Sequence, residues 1–187
     1  LVHKVASKFT KICYVDGFAG PWKSKSENYG DTSFGIGLKS LLKAKSAWQH
    51  HGREVSMSAH LVEKSKKAYK ELEKIPKKFS SIEVFTYHSD FIDTINRINN
   101  SISLDTFTFI LIDPKGWKIP IRELEPLLSR PNTEVIFNFM FDFINRAASI
   151  EDPNIVSALD SLLISPGWRE KLEEIERHSD EPSAPKD

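Results

Sequence analysis

The chain has 187 residues, of which 40% are hydrophobic and 28% are charged, and its 26 Lys and Arg residues balance its 26 Asp and Glu residues. That length and composition are typical of one globular domain with a sizeable core. Cys13 is the single cysteine, which excludes a disulfide framework or a cysteine metal cluster and makes a reducing, cytoplasmic location the expectation. No apolar run approaches the roughly 20 residues that span a bilayer, so no membrane association is expected.

The zero net charge hides an uneven distribution of charge along the chain. Residues 1–80 contain 16 Lys and Arg and 7 Asp and Glu, whereas residues 81–187 contain 10 and 19. A basic N-terminal half predicts a polyanionic partner such as RNA or DNA. The alternative is a set of solvated basic helix faces that acidic faces balance elsewhere in the fold.

The first predicted strand, residues 11–15, is short, β-branched and aromatic, and it is followed by an acidic, glycine-bearing turn. Ligands of open α/β sheets bind just outside the carboxyl ends of the strands. This turn has neither the Lys-Ser/Thr pair of a phosphate-binding loop nor a dinucleotide glycine triplet. It resembles the first motif of S-adenosylmethionine (SAM) methyltransferases, and the resemblance implies that the cofactor contacts Asp16, Gly17, Phe18, Ala19 and Gly20. The alternative is a tight turn that binds nothing.

A polar loop, residues 22–31, precedes a predicted helix over residues 34–50, and a connection of that length is usually functional. Residues 55–62 predict the second strand, which Glu63 follows, and then a helix to about residue 74. A carboxylate that closes the second strand is the expected partner of a ribose, because it accepts hydrogen bonds from both hydroxyls.

The third predicted strand covers residues 82–87 and leads into Asp90 and Phe91. In the methyltransferase arrangement this loop supplies an acidic group to the adenine amine and an apolar wall to its ring, which are the roles expected of Asp90 and Phe91. The alternative for Asp90 is the N-cap of a helix over residues 91–99, and both can hold at once, because capping uses the Asp90 side chain and the ring contact uses Phe91.

The fourth predicted strand, residues 106–112, is the most apolar and is followed by Asp113-Pro114-Lys115-Gly116-Trp117. This segment resembles the Asp/Asn-Pro-Pro-aromatic motif of enzymes that methylate exocyclic amines, with Lys-Gly inserted before the aromatic residue. The resemblance implies that Asp113 and the Pro114 carbonyl accept hydrogen bonds from the target amine, which orients its lone pair, and that Trp117 stacks on the base. A structural turn made by Pro and Gly is the alternative.

The remaining pattern predicts a helix over residues 121–129, interrupted by Pro126, and a fifth strand over residues 133–140 with Asn138 near its end. Residues 139–143 are expected to lie in the core, and the alternative is that they line a substrate pocket. Helices over residues 154–164 and 168–178 follow, before a Pro/Ser tail. We therefore expect a doubly wound, mostly parallel α/β domain in residues 1–150 and a helical appendage in residues 151–187.

Three segments together resemble the three-Cys-motif partner (TcmP) proteins: Tyr-Val-Asp-Gly-Phe-Ala-Gly-Pro at residues 14–21, Ile-Asp-Pro-Lys-Gly-Trp at 112–117 and Val-Ile-Phe-Asn-Phe-Met at 135–140. These bacterial proteins have a methyltransferase-like Rossmann fold and are encoded beside a radical-SAM-like protein with a three-cysteine motif. The resemblance implies a strand order of 3-2-1-4-5, SAM as cofactor and such a protein as partner.

The expected function is that of a SAM-dependent methyltransferase whose acceptor is an exocyclic amine of a nucleic-acid base. A non-catalytic partner protein on the same fold is the first alternative. A metal-dependent nuclease is the second, because adjacent strand ends bring the carboxylates of Asp16 and Asp113 close together.

Overall fold

The computed structural model describes residues 1–20, 24–26, 29–114, 116, 119–139, 141–148, 150, 152–163, 165 and 167–179. These residues form two compact units. The first comprises the described residues within Leu1–Lys115 and Glu123–Phe139, and the second those within Gly116–Arg122 and Met140–Asp187. The first unit contains the whole sheet.

Five parallel strands make up that sheet in the order β3-β2-β1-β4-β5, as the sequence predicted. The strands are β1 Lys11–Asp16, β2 Ser56–Glu63, β3 Glu83–His88, β4 Phe107–Ile112 and β5 Thr133–Phe137. β5 was predicted to extend to residue 140, but it ends at Phe137. The α/β architecture is therefore of the doubly wound, Rossmann-like kind, with β1 and β4 side by side at the centre.

The first unit contains helices α1 Val2–Val5, α2 Ser33–His50, α3 Lys66–Leu72, α4 Ile75–Lys78, α5 Phe91–Ser101 and α6 Glu125–Leu128. Side-chain caps explain where the longer ones begin. Thr32 Oγ1 accepts a hydrogen bond from Gly35 N at the start of α2, and Asp90 caps α5 in the same way. The prediction of one helix over residues 121–129 was wrong: a 3₁₀ turn, Ile121–Leu124, precedes α6, because Pro126 fits only a first turn.

The core between the sheet and helices α2 to α4 is apolar. Fully buried Phe34, Leu38 and Leu41 of α2 pack against alternate residues of the central strands, such as Ile12 and Leu61. The other residues of these strands point to the opposite side of the sheet, where Phe91, Ile95 and Ile98 of α5 are buried. The expected core position of Phe139 was wrong, since 42% of its surface is exposed.

Arg130 connects α5 to the start of β5. Its guanidinium donates hydrogen bonds to the carbonyls of Asn99, Ile102 and Ser103, which lie in and just after the last turn of α5, and to Asn99 Oδ1. A helix leaves its last four carbonyls without intrahelical partners, and the guanidinium supplies donors to this end. Arg130 therefore fixes the distance between the end of α5 and the edge of the sheet.

The second unit contains α7 Phe141–Ala148, α8 Pro153–Leu162 and α9 Trp168–Ser179. Asp152 caps α8 through the backbone N–H groups of Asn154 and Ile155, and α7 packs against α8. Trp168 Nε1 donates to Asp160 Oδ1 at 3.0 Å, which ties α9 to α8. Among the described helices of both units, none combines the length and the apolar character that a membrane crossing requires.

Candidate functional site

The turn after β1 is held to both neighbouring strands at the carboxyl edge of the sheet. Gly17 N donates to the carbonyl of Leu111 in β4 at 3.2 Å, and Ala19 N donates to the carbonyl of Val62 in β2 at 2.8 Å. Gly20 N closes a tight turn by donating to the Phe18 carbonyl at 2.9 Å. Residues 16–20, which are expected to contact a cofactor, therefore form one turn that is hydrogen-bonded to the ends of β2 and β4. This turn is called the ledge below.

The buried carboxylate of Asp16 holds the ledge through hydrogen bonds. This carboxylate has no exposed surface and accepts hydrogen bonds from Tyr14 Oη at 3.0 Å, Ser33 Oγ at 2.7 Å and Phe18 N at 3.0 Å. Burial raises the pKa of Asp16, these three donors oppose that effect, and the charge of Asp113 adds to it. Both oxygens are occupied by the protein, so Asp16 orients the turn and the start of α2.

Gly17 allows a close approach that a side chain would prevent. A Cβ at this position would lie 2.6 Å from Cδ1 of Phe91, which is inside van der Waals contact. The Phe91 ring also meets the Phe18 ring edge-on at a centroid distance of 5.8 Å, and only 2% of Phe91 is exposed. The Phe91 ring therefore packs against the turn at Gly17 and Phe18. Phe18 is half-buried and is the more accessible ring of the pair.

The carboxylates after β2 and β3 both have internal partners. Glu63 is buried and accepts a hydrogen bond from Ser65 N, which shapes the loop before α3. Asp90 accepts from Ile92 N at 3.2 Å as the N-cap of α5 and forms an ion pair with Lys64 Nζ at 2.7 Å. The hydrogen bond from Lys64 lowers the pKa of Asp90. Asp90 thus caps the helix, as the alternative interpretation predicted.

Asp113 lies directly after β4 and is exposed. Asn138 donates to it, Nδ2 to Oδ1, at 2.7 Å, and Asn138 N donates to the Ile112 carbonyl at 2.9 Å, so the end of β5 fixes both groups. Pro114 follows and is buried, whereas Trp117, the third residue expected to be catalytic, lies outside the described residues.

Asp16 and Asp113 share one edge of the sheet. Asp16 pairs with Leu111 in the β1–β4 register, two residues before Asp113, and the Asp113 charge acts on the pKa of Asp16. Four carboxylates thus line this edge, with Lys64 as the cation paired to one of them. Three of these carboxylates have internal partners, so Asp113 is the one most open to a cationic ligand. Among the described residues, no group of three or more His, Cys, Asp and Glu side chains is placed to hold a metal ion.

The inserted loop, of which residues 24–26 and 29–31 are described, is folded against α2. Tyr29 adopts a positive φ of 53°, and its ring packs on Phe34 at 5.4 Å. Gly35 makes this possible, because a Cβ there would lie 1.8 Å from the Tyr29 carbonyl oxygen. Asp31 accepts hydrogen bonds from Ser24 Oγ at 2.6 Å and Lys25 N at 2.7 Å. The described residues of this loop therefore contact both α2 and one another.

A buried histidine near this edge was not predicted from the sequence. His60 of β2 is 2% exposed, its Nδ1 lies 2.8 Å from Tyr87 Oη, and its ring stacks on Phe85 at 4.9 Å. Burial lowers the pKa of His60 to about 4, so the imidazole is neutral near neutral pH. The signal in the sequence was a histidine within an apolar strand, which does not reveal its partner.

Comparisons with known proteins leave the family open. No family profile matches the chain, and no curated protein matches it. Among solved structures it is similar to protein LPL1258 of Legionella pneumophila str. Philadelphia 1, of family DUF519, at 14% identity with a TM-score of 0.45. That similarity covers 87% of this chain and 70% of the other. The fold assignment consequently comes from the strand order of this chain itself.

Proposed function

We propose that the protein is a SAM-dependent methyltransferase whose acceptor is an exocyclic amine of a nucleic-acid base. The observation that carries this proposal is the pair of aspartates on adjacent strand ends, Asp16 buried under the turn and Asp113 exposed beside it. In an open α/β sheet the junction of β1 and β4 is the switch point at which ligands bind. The resemblance to the three-Cys-motif partner proteins supports the choice of cofactor.

The residues that would hold the cofactor are those of the ledge, residues 16–20, together with Glu63. The backbone of the turn and the accessible face of Phe18 form an uncharged surface, and Glu63 at the end of β2 suits a ribose. Asp90 faces the same edge but is paired with Lys64, and that pairing leaves its carboxylate less open to an adenine amine. When bound, SAM supplies an electrophilic methyl group.

Asp113 is the residue proposed to act on the acceptor. Its Oδ1 is held by Asn138, which leaves Oδ2 as the oxygen for a further hydrogen bond. A carboxylate oxygen in that position accepts a hydrogen bond from the acceptor amine and holds the nitrogen lone pair toward the electrophile. Pro114 contributes a backbone carbonyl beside it, which is a second acceptor for the same amine.

Calorimetric titration of the protein with SAM tests the cofactor assignment. We expect binding by the wild type and an affinity lower by about tenfold or more for Glu63→Gln, because one charged acceptor is lost. Asp93→Asn is the matched control, since Asp93 is an exposed carboxylate in the first turn of α5. Absence of heat from the wild type, or equal affinities in all three proteins, would reject the assignment.

A non-catalytic partner protein on the same fold is the second candidate. The burial of Phe91 and the pairing of Asp90 favour it, because both residues already serve the protein's own structure. In that case nucleic acid binds equally well with and without SAM, and no methyl group is transferred. The radical-SAM-like partner that the family resemblance implies stays a prediction under either candidate.

A further inference from the structure

The outer side of helices α2, α3 and α4 is strongly basic. Between residues 33 and 79 the chain has eleven Lys and Arg residues and four Glu residues. One of those glutamates, Glu63, is buried at the end of β2. Six exposed lysines on these helices are called the lysine surface below: Lys39, Lys43, Lys66, Lys67, Lys70 and Lys77.

These lysines lie on one continuous layer of the molecule. α2 packs on β1 and β2, α3 on β2 and β3, and α4 on β3, and all three helices contribute to the same apolar core. Neighbouring helices on one side of a sheet present their outer faces together. Lys39 and Lys43 are four residues apart on α2, as are Lys66 and Lys70 on α3, so each pair follows one stripe of its helix.

The lysine surface is not neutralised by the acidic residues around it. Lys11–Asp105, Lys64–Asp90 and Lys74–Glu71 are ion pairs among the described residues, and no member of the lysine surface takes part in them. Six lysines on three neighbouring helices, none of them in an ion pair with another described residue, repel one another and destabilise the fold slightly. An anionic ligand relieves that repulsion, and a polymer of regularly spaced phosphates does so at several lysines at once.

The inserted loop connects the lysine surface to the candidate site. The ammonium of Lys39 lies beside Gly30, since a Cβ there would be 2.9 Å from Lys39 Nζ. At the end of α4, Lys78 Nζ lies over the Tyr29 ring at 4.7 Å. The same loop leads directly to Ser33, whose hydroxyl donates to Asp16. A polymer on the lysine surface would therefore run toward the edge at which Asp113 is exposed.

We propose that the lysine surface binds the phosphodiester backbone of a nucleic acid. The inference deepens the proposed function, since it names the polymer that carries the acceptor base and the surface on which it docks. Phosphate contacts of this kind position a strand without reading its sequence, and the base is then selected at the edge of the sheet. An acidic protein or an anionic membrane would contact the same charges, and the experiment below separates these ligands.

Equilibrium binding of 20-nucleotide single-stranded RNA and DNA is measured against salt concentration, without SAM. The test variant replaces Lys43, Lys67 and Lys70 by Gln. The matched control replaces Lys4, Lys8 and Lys171 by Gln; it changes the net charge equally but lies before β1 and in the second unit. We expect the test variant to raise Kd by about tenfold or more and to lower the salt slope by about two, and the control to change neither beyond about twofold.

Two results would overturn the proposal. One is equal losses in test and control variants, or equal competition by polyglutamate of the same charge, either of which would mean that only charge matters. The other is binding to phosphatidylserine vesicles in the absence of nucleic-acid binding. Calorimetry with SAM on the test variant keeps the two proposals separate. Nucleic-acid binding that persists when the wild type fails to bind SAM would reject the cofactor and leave the lysine surface intact.

Discussion

The two halves of the carboxyl edge hold their carboxylates in different ways. In the β1–β4 half, Asp16 is buried under three donors, whereas Asp113 is exposed and has one described contact, to Asn138. In the β2–β3 half, Glu63 and Asp90 are both bound to backbone N–H groups, and Asp90 is also paired with Lys64. The carboxylate of an acidic residue at a strand end can thus be fully occupied by hydrogen bonds within the protein, as in Asp16, or can keep an oxygen without such a bond, as in Asp113.

This difference assigns separate tasks to the two halves. Asp113 retains an acceptor oxygen, so the methyl transfer proposed above is assigned to the β1–β4 half. The carboxylates of the β2–β3 half stabilise two helix starts and offer only their remaining lone pairs to a ligand. An exposed ion pair such as Lys64–Asp90 contributes little to stability, so a ligand that displaces Lys64 loses little.

The largest effect is expected at Asp113. Asp113→Ala removes both oxygens that would accept a hydrogen bond from the target amine. We expect methyl transfer to a nucleic acid to fall by about a hundredfold or more, while the SAM affinity changes less than about threefold. The measurement is single-turnover transfer of labelled methyl groups, with Asp105→Ala, which removes an exposed carboxylate paired to Lys11, as control. Equal rates in both variants would move the chemistry away from the β1–β4 half.

The next effect concerns His60, which lies in β2 three residues before Glu63. The folded imidazole has a pKa of about 4 against an ordinary 6.5, so the unfolded chain takes up its proton first as pH falls. The free energy of unfolding therefore decreases between about pH 6.5 and pH 4, by about 3 kcal/mol for this group, and levels off below.

Urea unfolding at several pH values checks this decrease. His60→Phe removes the titration and is expected to flatten the pH dependence between pH 6.5 and 4, whereas His50→Gln, at the exposed end of α2, leaves it as in the wild type. Tyr87→Phe removes the hydrogen bond to Nδ1 but keeps the titrating ring, and it separates the two contributions. An NMR titration that gives His60 a pKa near 6.5 would contradict the burial argument.

Much of the fold follows from local sequence patterns. Short apolar runs separated by helical segments predict a parallel sheet, and all five strands were located from them. Asp16 and Asp113 were placed at one edge because parallel strands end together. The helix after β4 was less accurate because a proline allows either a break or a new first turn, and only the packing of Leu124 and Leu127 decides between them.

The contacts within the site are less predictable because they join residues distant in sequence. Nothing near Gly17 indicates that the Phe91 ring will lie against it, and the pairing of Lys64 with Asp90 crosses 26 positions. Arg130 reaches the end of α5 across a similar interval. Such contacts depend on how far each helix is displaced along its strand, which residue periodicity does not record.

The smallest effect is expected at Gly17. It tests whether the contact between Gly17 and Phe91 couples the two halves of the edge. Gly17→Ala places a methyl group 2.6 Å from the Phe91 ring, so the ring or the turn must shift. We expect a loss of about 1–3 kcal/mol in the free energy of unfolding, typical of overpacking in a filled core. Phe91→Leu in the same chain makes room and should restore part of that loss, although alone it destabilises by leaving a void.

Because Phe91 begins α5 and Gly17 follows β1, displacing the ring moves the Asp90 cap and the ledge together. Gly17→Ala should therefore weaken SAM binding, by less than Glu63→Gln does, and Phe91→Leu in the same chain should recover it in parallel with stability. Denaturant unfolding and calorimetry on the same four proteins measure both quantities. If Gly17→Ala is as stable as the wild type, or binds SAM equally well, the halves respond independently and the Phe91 contact does not couple them.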